Sequence, residues 1–228
     1  MAAFRLARDH GADGIELDVQ ETVDGELVVI HDFAVDRTTD GTGQVVDLTA
    51  AAVAQLDAGG WFSDSFAGEP VPRLSEVLAL DALELEVELK AFSRDFMART
   101  VKAVEEAAAL DRTEFTSWNT PMLMALRQDF PGARIGIFSP RRGAWMIDSV
   151  FERTILGLAE YVPAAVVHVH AADVTASIVG ELHDRGHLVL ANDAKSADEI
   201  RRAIDCGADR LTTDDPAKAV GVRSETRR

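Results

Sequence analysis

Apolar and polar residues alternate strictly in two places, Ile15-Glu16-Leu17-Asp18-Val19 and Leu83-Glu84-Leu85-Glu86-Val87-Glu88-Leu89-Lys90. A period of two sends successive side chains to opposite faces of a β-strand, so each run predicts a strand with one apolar face. The first candidate spans 13 to 19 and a second follows at 26 to 31, with Asp24-Gly25 as the turn between them. Residues 32 to 73 have a different texture: Thr38-Thr39-Asp40-Gly41-Thr42-Gly43, a helix-like piece near Thr49 to Leu56, Gly59-Gly60-Trp61-Phe62 and Pro70-Val71-Pro72. That density of turn formers predicts an insertion into the main scaffold, not a linker between two independent cores.

Beyond it the pattern becomes regular. Leu83 to Leu89 reads as a strand, Arg94 to Leu110 as a helix, Glu114 to Ser117 as a strand and Met122 to Phe130 as a helix. Ile135 to Phe138, Ala165 to Val169, Leu188 to Ala191 and Arg210 to Thr213 are further strand candidates. Helical patterns at about 174 to 186 and 196 to 206 lie between the last three, and each ends near a glycine, Gly186 and Gly207. Alternating strands and helices imply an α/β fold with a parallel sheet covered by helices, and the number of repeats favours a TIM (β/α) barrel over a doubly wound open sheet. No Gly-x-Gly-x-x-Gly follows a strand, so nothing supports a dinucleotide site.

A length of 228 residues suits one such barrel domain, and 47% apolar with 27% charged residues is enough to bury a core. The formal charge of -16, from 39 acidic and 23 basic residues, disfavours nucleic acid and anionic lipid as partners. An anionic substrate then needs a local positive group or a metal ion. Cys206 is the only cysteine, so an intramolecular disulfide is impossible, and its setting beside Gly207 predicts a buried structural residue. No apolar run approaches the ~20 residues of a membrane span. Residues 1 to 10 are amphipathic and lack the apolar core of a signal peptide, so a cytoplasmic location is expected.

The alternating runs carry the chemistry. Two residues apart on one strand, Glu16 and Asp18 point to the same side, where their like charges must share a cation or a proton. Glu84, Glu86, Glu88 and Lys90 share one face of the later strand. That face is either the interior of a barrel, where acidic groups are costly unless paired or bound to metal, or the solvated side of an edge strand. Glu88 and Lys90 lie nearest the C-terminal end, where barrel active sites are built. Oxygen ligands from Glu16, Asp18 and Glu88 would suit a hard divalent cation, Mg²⁺ or Ca²⁺, better than Zn²⁺. Lys90 beside them is suited to hold a phosphoryl oxygen, and His31, ending the second apolar run, adds a group that titrates near neutrality.

Gly11-Ala12-Asp13-Gly14-Ile15-Glu16-Leu17-Asp18-Val19-Gln20, continuing through Val28-Val29-Ile30-His31-Asp32 to Asp36-Arg37-Thr38-Thr39-Asp40-Gly41-Thr42-Gly43, closely resembles the glycerophosphodiester phosphodiesterases. The likeness extends through Leu74-Ser75-Glu76-Val77-Leu78, Glu88-Leu89-Lys90, Ser117-Trp118-Asn119 and Gly207-Ala208-Asp209 to Thr213-Asp214-Asp215-Pro216. It implies a TIM barrel with a small subdomain, here about 32 to 73, inserted after the second barrel strand. The implied reaction is metal-dependent hydrolysis of small glycerophosphodiesters, such as glycerophosphocholine, to glycerol 3-phosphate and an alcohol. In this reading Glu16, Asp18 and Glu88 correspond to the metal ligands, His31 to one of two catalytic histidines, and Lys90 to a residue near the phosphate. Trp118, at a strand end, is a candidate to line the substrate pocket.

Family members begin with a strand carrying His-Arg-Gly, whereas Met1 falls within the helix that resembles Ala2 to His10. The expectation is therefore a barrel short of its first strand, with impaired activity or with its open edge covered by a second copy. The alternative is a non-catalytic metal- or ligand-binding remnant of the same barrel. Where the family has Trp-Thr-Val-Asn, this chain has Val189-Leu190-Ala191-Asn192. His168 and His170 alternate on a strand but the resemblance does not call on them. His10, His183 and His187 are expected at solvated positions on or beside helices, and Trp61 and Phe62 are expected to pack the insertion, the alternative being that they shape the mouth of the pocket.

Overall fold

The computed structural model describes residues 1–80, 83–91 and 93–226. The chain divides into two compact units. The first comprises Met1–Asp9, Asp13–Phe115 and Asp129–Ala133; the second comprises His10–Ala12, Thr116–Gln128 and the described residues from Arg134 onward.

In the first unit, α1 (Ala2–Asp9) precedes β1 (Gly14–Glu21), which pairs antiparallel with β2 (Leu27–Val29). Gly25 closes this hairpin with φ 85°, a left-handed conformation that favours glycine. The insertion follows, with α2 (Ala50–Val53) capped by the Thr49 side chain, which accepts from the Ala52 backbone. Its apolar residues Val35, Val45 and Val53 form a small core with Val28, Ile30 and Val71, so the insertion packs onto the outer arm of the hairpin. Next come α3 (Leu74–Leu78), β3 (Glu84–Leu89), α4 (Arg94–Glu106) and β4 (Thr113–Thr116), giving the strand order β2-β1-β3-β4. The predicted helix from Arg94 to Leu110 stops early, at Glu106, and a separate 3-10 turn covers Leu110–Arg112. Gly14 is required where β1 meets β3, since a Cβ there would lie 2.8 Å from the Glu84 carbonyl oxygen.

The second unit repeats one motif. It runs α5 (Thr120–Asp129, whose last residue lies in the first unit), β5 (Arg134–Phe138), α6 (Asp148–Tyr161), β6 (Val166–His170), α7 (Ala176–His183), β7 (Leu188–Asn192), α8 (Ala197–Asp205), β8 (Arg210–Leu211) and α9 (Pro216–Thr226). The pairs β5–β6, β6–β7 and β7–β8 are all parallel. Gly186 and Gly207, at φ 83° and 82°, end α7 and α8 as their positions predict. Behind each, the amide of the residue after the glycine returns to a carbonyl of the last turn: His187 to Leu182 and Ala208 to Ala203, both at 3.0 Å. α8 also begins with a capping box, in which Ser196 and Glu199 satisfy each other's backbone amides.

Some expectations change. Cys206 is half-buried at the end of α8, because the turn at Gly207 lifts it away from the apolar face that Ile200 and Ala203 bury. Trp61 and Phe62 are 53% and 70% exposed, their rings meeting edge to face at 5.9 Å instead of joining the valine core of the insertion. β8 is two residues long, shorter than the run predicted to Thr213. Among the described residues, no helix is long and apolar enough to cross a membrane.

Candidate active site

The parallel pairing of β1 with β3 sets Asp18 opposite Glu88 and Glu16 opposite Glu86. In a parallel pair, residues in register share a face, so two separate alternations become one acidic surface. Ile15, Leu17 and Val19 are buried on the other side of β1, as the period of two requires. On β3 both faces are covered: Leu85, Val87 and Leu89 are buried, and so are Glu86 at 8% and Glu88 at 7% exposure. The solvated edge-strand reading of these glutamates is therefore wrong. Oxygen atoms of Glu16, Asp18 and Glu88 all lie within 4.8 Å of one another.

Lys90, just beyond β3, reaches back over this group. Its Nζ donates to Glu88 Oε1 at 2.6 Å and lies 3.0 Å from Asp18 Oδ1. Burial pushes the Glu88 carboxyl above its ordinary range, against the opposing pull of Lys90. Burial works to lower Lys90, but the hydrogen bond to Glu88 and the charge of Asp18 outweigh it, and the ammonium is held on. Glu86 is pushed well above the usual carboxylate range, first by burial and then by the charges of Glu16, Glu114, Glu88 and Asp18. Three carboxylates and one ammonium, Glu16, Asp18, Glu88 and Lys90, sum to a formal charge of about −2 with every acid ionised. An all-oxygen donor set of that charge fits a hard divalent cation.

His31 follows β2 and is held from two directions. The Gln20 amide nitrogen lies 3.0, 3.1 and 2.5 Å from the carbonyl oxygens of Ile30, His31 and Asp32, fixing the chain where it leaves the hairpin. The His31 ring places Nδ1 2.7 Å from Asp32 Oδ1, and Arg37 grips both oxygens of that carboxylate, Nε to Oδ2 at 2.5 Å and Nη2 to Oδ1 at 2.8 Å. The hydrogen bond from Arg37 and then that from His31 hold Asp32 far below the usual carboxylate range. The electrostatic influence of His31 reaches Glu88, which it favours in the charged form.

Trp118 belongs to the second unit, where its indole, 60% exposed, stacks on Phe138 at 4.7 Å and 15°. Phe138 in turn meets the buried His168 edge-on at 5.0 Å. His170 has both nitrogens engaged: Nδ1 accepts from the Ala172 amide at 3.1 Å and Nε2 lies 3.4 Å from Asp193. His183 faces Asp209 at 2.8 Å on the surface, while His187 is half-buried with Nδ1 3.0 Å from the Ala164 carbonyl.

The structure thus gathers Glu16, Asp18, Glu88 and Lys90, and it anchors His31 through groups the sequence reading left unassigned: Gln20, Asp32 and Arg37. A signal for Gln20 was present, since it continues the i, i+2, i+4 phase of Glu16 and Asp18. Asp32 and Arg37 lie in the stretch that carries the family resemblance, but nothing in the sequence pairs them with each other or with His31.

Comparison with known proteins gives the family and the fold. A sequence model of the glycerophosphoryl diester phosphodiesterase family matches residues 1–218. The glycerophosphodiester phosphodiesterase of Caldanaerobacter subterraneus subsp. tengcongensis is 32% identical over 97% of this chain and 90% of its own length. That of Bacillus altitudinis is 30% identical over 99% and 92%. Among solved structures, an Oleispira antarctica phosphodiesterase in complex with the product sn-glycerol-3-phosphate superposes with a TM-score of 0.85 at 26% identity, covering 98% of this chain and 90% of that one. A glycerophosphodiester phosphodiesterase from Agrobacterium tumefaciens gives 0.81 at 27% identity over 96% and 91%. The fold is the α/β TIM-barrel fold of these enzymes. The chain belongs to the glycerophosphoryl diester phosphodiesterase family.

Proposed function

We propose that the protein is a metal-dependent phosphodiesterase that hydrolyses small glycerophosphodiesters to glycerol 3-phosphate and an alcohol. The observation that carries this reading is the convergence of Glu16, Asp18 and Glu88 within 4.8 Å under the Lys90 ammonium. Further support comes from the product sn-glycerol-3-phosphate in the Oleispira relative. Glu16, Asp18 and Glu88 would hold Mg²⁺ or Ca²⁺, which when bound polarises phosphoryl oxygens and stabilises charge on the departing oxygen.

The remaining roles fall to the chain's own residues. An ammonium has three donors; Lys90 directs two at Glu88 and Asp18 and keeps one for a phosphoryl oxygen of the substrate. Being only 12% exposed, its charge acts on that oxygen with little screening. His31 moves the proton. No group among the described residues bonds its Nε2, and the side chain is 64% exposed, so this nitrogen is open to substrate and water. Water adds to phosphorus, the bond from phosphorus to the alcohol oxygen breaks, and the proton that water gives up is accepted at Nε2 and passed on to the departing oxygen.

Glycerophosphocholine hydrolysis with Mg²⁺ or Ca²⁺, measured beside a Glu16→Ala/Asp18→Ala variant, tests the reading. The parent is expected to release glycerol 3-phosphate, and the variant to lose that activity together with calorimetrically measured cation binding. A folded parent that binds the cation and turns over no glycerophosphodiester overturns the proposal in favour of a binding remnant.

A further inference from the structure

An exposed histidine is a poor proton carrier unless its ring is held. A neutral imidazole can carry its proton on either nitrogen, and only the nitrogen without one accepts a proton; the hydrogen bond made by the other nitrogen sets which form is present. His31 is mostly exposed, yet Nδ1 sits 2.7 Å from Asp32 Oδ1. Asp32 cannot turn away, because Arg37 binds both of its oxygens in a planar fork, at 2.5 and 2.8 Å. The backbone is held as well, by the buried Gln20 amide facing the carbonyls of Ile30, His31 and Asp32.

A surface ion pair contributes roughly 0–1 kcal/mol to stability, so stability alone gives little reason for so many constraints on one exposed ring. We propose that Asp32 and Arg37 are positioning residues for His31: Asp32 holds the neutral ring protonated at Nδ1, Arg37 holds Asp32, and Nε2 is left with its lone pair outward. This rests on the reading of His31 as the proton carrier. Arg37 comes from the insertion, so the insertion takes part in proton transfer through Asp32 without touching substrate. Of the charged groups near the ring, Asp32 bonds it directly, Arg37 binds Asp32, and Glu88 interacts with it through space.

Asp32→Asn is the discriminating change. Arg37 has only donors and will claim the single amide oxygen, so the amide NH₂ faces Nδ1 and drives the proton to Nε2. Nitrogen-15 NMR of histidine-labelled protein, well above the ordinary imidazole pKa of about 6.5, reads the tautomer without any turnover. The parent is expected to carry the proton on Nδ1 of His31, Asp32→Asn on Nε2, and Arg37→Gln a mixture. In the hydrolysis assay kcat should fall about 100-fold for Asp32→Asn and about 10-fold for Arg37→Gln, with KM little changed. Arg37→Lys should recover part of the loss, and on a His31→Ala background Asp32→Asn should have no further effect.

An Nε2–H parent, or an active parent whose Asp32→Asn variant keeps both tautomer and kcat, overturns the positioning role. A parent with the Nδ1–H ring and no hydrolysis overturns the phosphodiesterase reading instead.

Discussion

Replacing Lys90 by methionine keeps most of the side-chain volume and removes the one ammonium that lies over the acidic cluster. Its contacts of 2.6 Å to Glu88 and 3.0 Å to Asp18 correspond to roughly 5 to 6 kcal/mol of gross attraction each at an effective dielectric of about 20. Desolvation of three ions offsets most of that gain. Once the lysine is gone, Asp18 and Glu88 face each other with oxygens within 4.8 Å, a repulsion of about 3.5 kcal/mol at the same dielectric. Removing one partner of a buried pair typically costs about 3–5 kcal/mol, and in a chain of this size that lowers the melting temperature by roughly 10 °C.

The assay is thermal unfolding of parent and Lys90→Met, first in EDTA and then in saturating Ca²⁺. In EDTA the variant should melt about 10 °C lower, and the gap should widen with pH, because protonation of Glu88 or Glu86 relieves the repulsion. Calcium should raise the variant more than the parent, since the ammonium no longer repels a cation at the same oxygens. Equal melting temperatures in EDTA, or equal calcium shifts, would refute the argument that Lys90 and a divalent ion act on one shared cluster.

Glu86→Gln tests the buried carboxyl beneath that cluster. The folded pKa is raised above its ordinary 4.5, so the native state keeps a proton that the unfolded chain releases, and stability falls as pH rises from 4.5 towards the folded value. Urea midpoints in EDTA should show the variant gaining on the parent as pH rises above about 4.5; a gap independent of pH would contradict this. Arg112 donates to the carbonyls of Leu83 at 2.6 Å and Leu78 at 2.8 Å, tying the end of α3 to the start of β3. Arg112→Met should cost about 3 kcal/mol by denaturant titration, since it leaves two carbonyls without their charged donor.

Much of the scaffold was legible in the sequence, for local reasons. Strands β1 and β3 follow from strict alternation, and the ends of α7 and α8 from Gly186 and Gly207, whose backbones take left-handed φ. Helix α6 was not anticipated, although Phe151, Ile155 and Ala159 recur at a helical spacing along it. Its start has no side-chain cap at Ile147, and Trp145 and Ile147 before it are exposed apolar residues that blur the pattern. In α9 only Val222 is buried, so there was almost no periodic signal to read.

The chemistry divides in the same way. By itself the sequence determined that Glu16 shares a strand face with Asp18, and Glu86 and Glu88 with Lys90, because that depends only on the two-residue period. It left open whether those faces met water or each other. Only the pairing of β1 with β3, across more than sixty intervening residues, set Asp18 opposite Glu88 and buried the glutamates enough to raise their pKa. The grip of Arg37 on Asp32 likewise required the fold of the insertion to turn the guanidinium back towards His31. Alternation is a property of the local backbone, whereas register, burial and the meeting of charges arise only from contacts between segments distant in sequence.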